Sequence, residues 1–343
     1  MRAACYVGDR TFTIVESSSR PPGRGEVELD IAYTGICGTD LHAFRGTYDR
    51  ELDLPVVLGH EMSGTVAAIG PDVDAWEVGD RVAVNPLQWC GTCPACVAGS
   101  SHVCQGLKVM GFNLPGSMQD RLTVPARALS RVPDGIGLDV AALTEPTAVA
   151  VHDVRRAGLR PGEQALVVGG GPIGVLIALV ARADGADVRV VELGEERRRL
   201  AESLGLTTLD PGAGDVRAAV EEWTQGAGVG VSFEVSGSAG GVDTAIQALA
   251  VRGRMVVVAL HESPPPVDLY RVFMREISLV GARVYETAAF DAALGLLGAG
   301  EIPAQALITR VEPLEHVEAA FLALEQGQAM KILLDCSGGG ILD

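Results

Sequence analysis

The stretch at residues 165–174, ALVVGGGPIG, limits the possible folds of this chain more than any other. Apolar, β-branched residues run directly into Gly169, Gly170, Gly171, Pro172, Ile173 and Gly174, and an apolar helical pattern, VLIALVARA, follows. Strand, tight turn and helix must therefore succeed one another here, with Pro172 suited to the first turn of the helix. The G-x-G-x-x-G spacing gives each glycine a task. Gly169 permits the turn, Gly171 lets a pyrophosphate approach the backbone, and Gly174 lets helix and strand pack closely. The helix N-terminus opened by Pro172 and Ile173 favours the anion. About twenty residues on, Glu192 ends the next strand, where a carboxylate accepts hydrogen bonds from ribose hydroxyls and repels a 2′-phosphate. The expected cofactor is therefore NAD rather than NADP. Arg197 and Arg198 oppose that preference, since either would reach a 2′-phosphate if the loop bent.

The alternation continues through VRVVEL and EERRRLAESLG, and further strands are expected at 230–235, 254–260 and 277–284. Such alternation predicts an α/β region with a parallel sheet that ends near Tyr285. Prolines 264, 265 and 266 force an irregular link between the last two strands. Before residue 145 the texture differs. Short runs at 27–33, 64–69 and 81–84 are bounded by Gly, Pro and Asp, as in an antiparallel β-rich domain. After the sheet come helices at 290–297 and 314–327, a strand at 331–336 that returns to the first domain, and a short glycine tail at 338–340.

Length and charge narrow the function. A chain of 343 residues suggests two domains, and 27 Lys+Arg against 44 Asp+Glu gives a net charge of −17, which repels nucleic acid. The N-terminal MRAACYVGDRTF lacks a signal-peptide core, and the longest uncharged stretch, 164–181, is broken by its glycines, so no membrane span is expected. Seven cysteines without a secretion signal point to a reducing cytoplasm, with thiols free for metal or chemistry.

Those thiols fall into patterns. Cys90, Cys93, Cys96 and Cys104 follow C-x2-C-x2-C-x7-C, a spacing that closes a tetrahedral zinc site with no open position and so pins a structural lobe at about 89–110. Iron–sulfur clusters use related spacings and are the alternative. Upstream, Cys37-Gly-Thr39-Asp-Leu-His42 and Gly59-His60-Glu61 bring a cysteine, two histidines and a carboxylate into two short motifs. Cys37 and His60 suit zinc, and Glu61 or Glu145 can complete three protein ligands while leaving a place for a substrate oxygen.

Together, CGTDLH, GHE, the four-cysteine lobe, TEPTAVAVHDV and GGGPIG, in this order across nearly the whole chain, resemble the zinc-dependent medium-chain dehydrogenases, in particular the sorbitol, butanediol and threonine dehydrogenase branch. The resemblance implies a GroES-like catalytic domain from residues 1–149 and 287–343 around a Rossmann NAD-binding domain at 150–286, with the active cleft between them. It implies two zincs per chain, the catalytic one on Cys37, His60 and a carboxylate, with Glu61, Glu145 or water completing the shell. It also implies a homodimer or homotetramer. Polyol members commonly carry an adjacent Arg-Tyr pair after the last Rossmann strand, whereas this chain has Val284 and Tyr285, which weakens a sugar-polyol assignment.

The expected reaction is reversible oxidation of a secondary alcohol to a ketone. A metal acts as Lewis acid, and Thr39 and His42 pass the proton through a ribose hydroxyl to solvent. Position relative to the motifs suggests Phe44, Phe112, Asn113 and Tyr285 as pocket residues, and the acidic balance favours neutral diols, polyols, cyclitols or amino alcohols over phosphorylated sugars. Two other classes compete: a non-catalytic zinc scaffold or redox sensor, and a zinc-free reductase on the same architecture.

Overall fold

Ten consecutive residues, Glu26–Gly35, form the strand around which the first part of the protein is built. On one side it pairs antiparallel with Glu61–Ile69. On the other it shares its length between two strands, Arg121–Pro125 at its start and Lys331–Asp335 at its end. With Arg81–Val84, Leu129–Arg131 and Ile308–Pro313 these make a seven-stranded sheet. Its register brings distant segments together: Gly35 lies opposite both Glu61 and Leu333, so the two chain ends meet at the close of the central strand. Beneath lies an apolar core in which Tyr6, Phe12, Phe44 and Phe321 pack ring against ring.

The computed structural model describes residues 1–16, 18–47 and 52–338, so part of the glycine tail lies outside the described residues. It resolves two units, Met1–Glu145 with Glu286–Gly300 and Ala304–Asp343, and Pro146–Tyr285 with Glu301–Pro303. The second unit is a six-stranded parallel sheet in the order Thr207–Leu209, Asp187–Val191, Gln164–Val168, Val229–Glu234, Leu249–Val257, Ser278–Gly281. Numbered by appearance this is 3-2-1-4-5-6, the doubly wound arrangement, whose ligand crevice opens at the carboxyl ends of the first and fourth strands. The helix Pro172–Ala183 that crosses from the first strand is buried from Gly174 to Ala181, as its nearly unbroken apolar sequence requires.

Three elements depart from the sequence reading. The strand expected at 277–284 stops at Gly281, and Val284 takes φ 45°, a left-handed conformation that no β-branched residue adopts within a strand. The strand expected at 254–260 spans Leu249–Val257, because the amides of Val258 and Ala259 turn back onto the carbonyl of Glu234. Ile308–Pro313 is a strand that its own residues do not announce. It is mostly exposed and gains its place only by pairing in parallel with Lys331–Asp335. Among the described residues no helix is long and apolar enough to cross a membrane.

Candidate active site and metal centres

Where the central strand ends, Cys37 precedes the short helix Gly38–Phe44, and His60 and Glu61 open the paired strand. One ligand atom from each of Cys37, His60 and Glu61 falls within 4.8 Å of the others. Asp40, 1% exposed, supports two of them: its Oδ2 accepts the Cys37 amide at 2.9 Å, and its Oδ1 stands 3.5 Å from His60 Nδ1. That contact helps to orient the imidazole as a ligand. Burial works to lower the His60 pKa, but Asp40 and then Cys37 outweigh it and hold it well above the ordinary value.

Glu61 is fully buried, and both its oxygens accept from Lys331 Nζ, at 2.8 and 2.7 Å. Lys331 also donates to the Ile36 carbonyl at 3.1 Å. Its pKa is raised: burial opposes the charge, and Glu61, Cys37 and Glu145 together prevail. Gly35 makes the space, since a Cβ there would lie 2.1 Å from Glu61 Oε2. The neighbourhood thus holds three buried carboxyl groups, Asp40, Glu61 and Glu145, against two basic groups, Lys331 and His60, before the Cys37 thiol is counted. An unbalanced buried anionic cluster is costly. A divalent cation offsets it, and a sulfur, an imidazole nitrogen and a carboxylate oxygen are the donors zinc takes when a coordination position stays open. Glu145, 7% exposed in the first turn of Thr144–Ala157, is not part of the three-residue cluster. Thr39 Oγ1 lies 3.9 Å from Cys37 Sγ, and half-buried His42 follows one helical turn later.

The second cluster is in the same unit. Cys90, Cys93, Cys96 and Cys104 also bring their sulfurs within 4.8 Å of one another. The Cys93–Cys104 and Cys90–Cys104 separations are 3.8 and 3.5 Å. Four sulfurs about 2.3 Å from one zinc stand about 3.8 Å apart, so the spacing fits a single ion. An iron–sulfur cluster would spread the thiolates over separate irons. Backbone amides point at the sulfurs, from Cys93 to Cys90 and from Gly106 to Cys104, each at 3.3 Å. Amides of Thr92 and Cys93 bring the Cys90 thiol down to about 6, whereas desolvation pushes Cys96 up to about 11.

In the second unit the glycine turn behaves as its pattern requires. Gly169 has φ 112°, and a Cβ on Gly174 would lie 1.8 Å from the Gly169 carbonyl oxygen, so neither position admits a side chain. Above Gly171 nothing lies within 4 Å of a Cβ, which leaves the backbone open to a pyrophosphate. Glu192 closes over the turn: Oε2 accepts the Gly170 amide and Oε1 the Gly194 amide, both at 2.7 Å. A dinucleotide fits this loop.

The alcohol dehydrogenase GroES-like domain family matches residues 23–134, and the zinc-binding dehydrogenase family matches residues 172–299. The 2-dehydro-3-deoxy-L-galactonate 5-dehydrogenase of Pseudoalteromonas atlantica is 46% identical over 338 residues, covering 98% of this chain and 99% of that one. The chain belongs to the zinc-type medium-chain dehydrogenases. The sorbitol dehydrogenase of Halalkalibacterium halodurans is 32% identical, covering 95% of this chain and 96% of its own. Among solved structures, the 2R,3R-butanediol dehydrogenase of Bacillus subtilis superposes with a TM-score of 0.90 at 31% identity, over 97% of this chain and 99% of that one.

Within this dehydrogenase several expectations need correction. Phe44, expected to line a pocket, is 1% exposed in the core, stacked on Phe12 and tilted against Phe321. Tyr285 is likewise fully buried. Phe112 packs against the core, and exposed Asn113 accepts the Val109 amide at 3.3 Å, so it closes a turn. Arg198 is committed to Asp210 at 2.7 Å and to the carbonyls of Glu192 and Leu193, which leaves Arg197, 4.0 Å from Glu192, as the arginine able to face a 2′-phosphate. Two supporting residues escaped the sequence reading. Asp40 had a local signal, an acid three residues after Cys37 at a helix start. Lys331 had none, since it lies 270 residues from Glu61 and only the return of the last strand brings them together.

Proposed function

We propose that this dehydrogenase oxidises a secondary hydroxyl of a small polyhydroxy acid or polyol to the ketone with NAD, using Cys37, His60 and Glu61 as catalytic zinc ligands. The convergence of those three side chains within 4.8 Å, in a cluster with a surplus of acidic groups, carries the reading. When bound, zinc supplies Lewis acidity and the nicotinamide accepts the hydride. The protein's own part is to position and to move a proton. Asp40 fixes the imidazole of His60, Lys331 restrains Glu61, and Glu145 stands in reserve as a further carboxylate. Thr39 receives the alcohol proton and His42 delivers it to solvent. Cys90, Cys93, Cys96 and Cys104 hold a second, structural zinc.

For the substrate, the relative at 46% identity is named for a keto-deoxy sugar acid, a charged class that the overall acidity of the chain did not favour. Net charge acts at long range and is screened beyond about 10 Å, so it does not decide what an enclosed pocket accepts. NADH formation from 2-dehydro-3-deoxy-L-galactonate, sorbitol, the butanediol stereoisomers and L-threonine tests the reading. The sugar acid is expected to give the highest kcat/KM, and no NADH from any alcohol would overturn the function. Replacing Glu192 by Ala should raise use of NADP relative to NAD by about tenfold, as Arg197 gains a 2′-phosphate without an opposing carboxylate.

A homodimer or homotetramer is supported by an apolar face in the second unit, where Tyr270 and Phe273 are 75% and 78% exposed beside the edge strand Ser278–Gly281. Phe273→Glu should lower the mass measured by light scattering. Four cysteines grouped as metal ligands rather than joined in disulfides support a reducing cytoplasm.

A further inference from the structure

Buried Glu234 and half-buried His261 form a pair at the carboxyl end of the parallel sheet that neither the metal centres nor the glycine turn uses. Glu234 ends its strand with no exposed surface. Its Oε1 is saturated, accepting from the Ser236 amide at 2.9 Å, the Ser236 hydroxyl at 2.6 Å and the Gly237 amide at 3.0 Å. Its Oε2 has no such donor and faces His261 Nε2 at 3.0 Å, too far out of line for a good hydrogen bond. The ring is held there by its own backbone, because the Val258 and Ala259 amides both donate to the Glu234 carbonyl, at 3.0 and 3.1 Å. A buried carboxylate with one oxygen so poorly met is expensive, and simple packing would be served by an apolar residue.

Its location says what it serves. In a doubly wound sheet each half takes one nucleotide, and the crevice opens between Gln164–Val168 and Val229–Glu234. Glu192, after the strand on one side, is placed for the adenosine ribose, so the half containing Val229–Glu234 and Leu249–Val257 is left for the other nucleotide. The loop after Glu234 borders the glycine turn directly, since a Cβ on Gly169 would lie 2.9 Å from the Ser236 amide nitrogen. The His261 side chain keeps 13% of its surface exposed, and with Nε2 turned to Glu234 the ring has Nδ1 left for a ligand.

We propose that His261, oriented by Glu234, accepts a hydrogen bond through Nδ1 from a hydroxyl of the nicotinamide ribose. His261 is then a cofactor-binding residue and Glu234 its positioning residue, the charge of the carboxylate 3.0 Å away favouring the proton on Nε2 and so leaving Nδ1 as the acceptor. This inference rests on the dinucleotide reading of the glycine turn.

The test compares three ligands of increasing length, ADP, ADP-ribose and NADH, by calorimetry and NADH fluorescence, on the zinc-loaded wild type and on His261→Ala, His261→Asn and Glu234→Gln. ADP lacks the second ribose, and ADP-ribose carries it without the nicotinamide ring. His261→Ala should weaken ADP-ribose and NADH alike by about tenfold and leave ADP unchanged. His261→Asn, which still offers an acceptor, should recover part of the loss. Glu234→Gln keeps the three bonds to Oε1 but turns a donor toward Nε2, and should weaken the same two ligands by a smaller factor. Equal losses for ADP would mean a loop held for structural reasons, and unchanged NADH affinity would mean no contact. A loss confined to NADH would put the contact on the ring instead of the ribose. Each of these overturns the proposal. A wild type that binds none of the three would overturn the dinucleotide reading itself.

Discussion

Cys90, Cys93, Cys96 and Cys104 hang from a loop whose regular elements are the four-residue helix Pro94–Val97 and a single 3-10 turn, whereas Cys37, His60 and Glu61 are placed by the register of the unit's central strands. The supporting groups differ in the same sense. Around the four thiols they are backbone amides of the loop itself, and around Cys37 they are Asp40 and Lys331, buried side chains from separate parts of the chain. The loop cluster offers only sulfur donors, at a spacing that suits a single ion. The strand cluster mixes sulfur, nitrogen and oxygen, three donors of the kind that leave a zinc coordination position open. A site that the fold builds without metal can be spent on chemistry, while a site that builds its own fold needs the metal to exist.

The largest effect that would break this contrast lies at the strand cluster. Cys37→Ser or His60→Ala should cut turnover by on the order of 10³-fold or more, the loss expected when several kcal/mol of transition-state stabilisation disappears. One zinc per chain should go with it, while the protein stays folded and NADH binding stays close to wild type. Retention of both zincs with normal turnover in either variant would remove the assignment. Next comes Lys331→Met, which leaves Glu61 buried without its cation and should cost about 3 kcal/mol in stability before any zinc is added. A denaturant titration of the metal-stripped protein measures it, and an unchanged midpoint would show that the pair does not hold the strand cluster together.

A smaller effect concerns protons. The folded His60 pKa lies above its unfolded value of about 6.5, so in metal-free protein its stabilisation is complete below that pH and is lost as pH rises through the raised folded value. Zinc requires the neutral ring, so the affinity of this cluster should run the opposite way, falling about tenfold per pH unit of acidification once the ring protonates. Melting curves of stripped protein against pH, with and without His60→Asn, check the sign. A metal-free protein that gains stability from His60 on going to alkaline pH contradicts it.

What the sequence disclosed divides along the same line as the two clusters. The cysteine spacing and the glycine turn were legible because their geometry is local: a few residues of backbone bring Cys90 to Cys104 together, and Gly169 to Gly174 fix their own turn. The strand cluster was legible in Cys37 and His60, whose motifs are short, but its support was not. Lys331 reaches Glu61 only through a strand that closes the sheet from the far end of the chain. Ile308–Pro313, with its mostly exposed pattern, shows no strand period until that same closing strand is in place. Phe44 misled for the converse reason, because proximity to Cys37 in sequence placed it near the metal, while its helix turns the ring inward to Tyr6 and Phe321.

The division of labour between the two clusters is tested most directly by a single variant, Cys104→Ser, assayed for zinc content, melting temperature and low-temperature turnover on one preparation. Cys104 is the most buried of the four thiols, at 3% exposure. Loss of one zinc per chain is expected, with a melting temperature lower by on the order of 5 °C or more and turnover within a few-fold of wild type below the transition. Loss of one zinc with an unchanged melting temperature, or loss of turnover as deep as in Cys37→Ser while the protein stays folded, would contradict it.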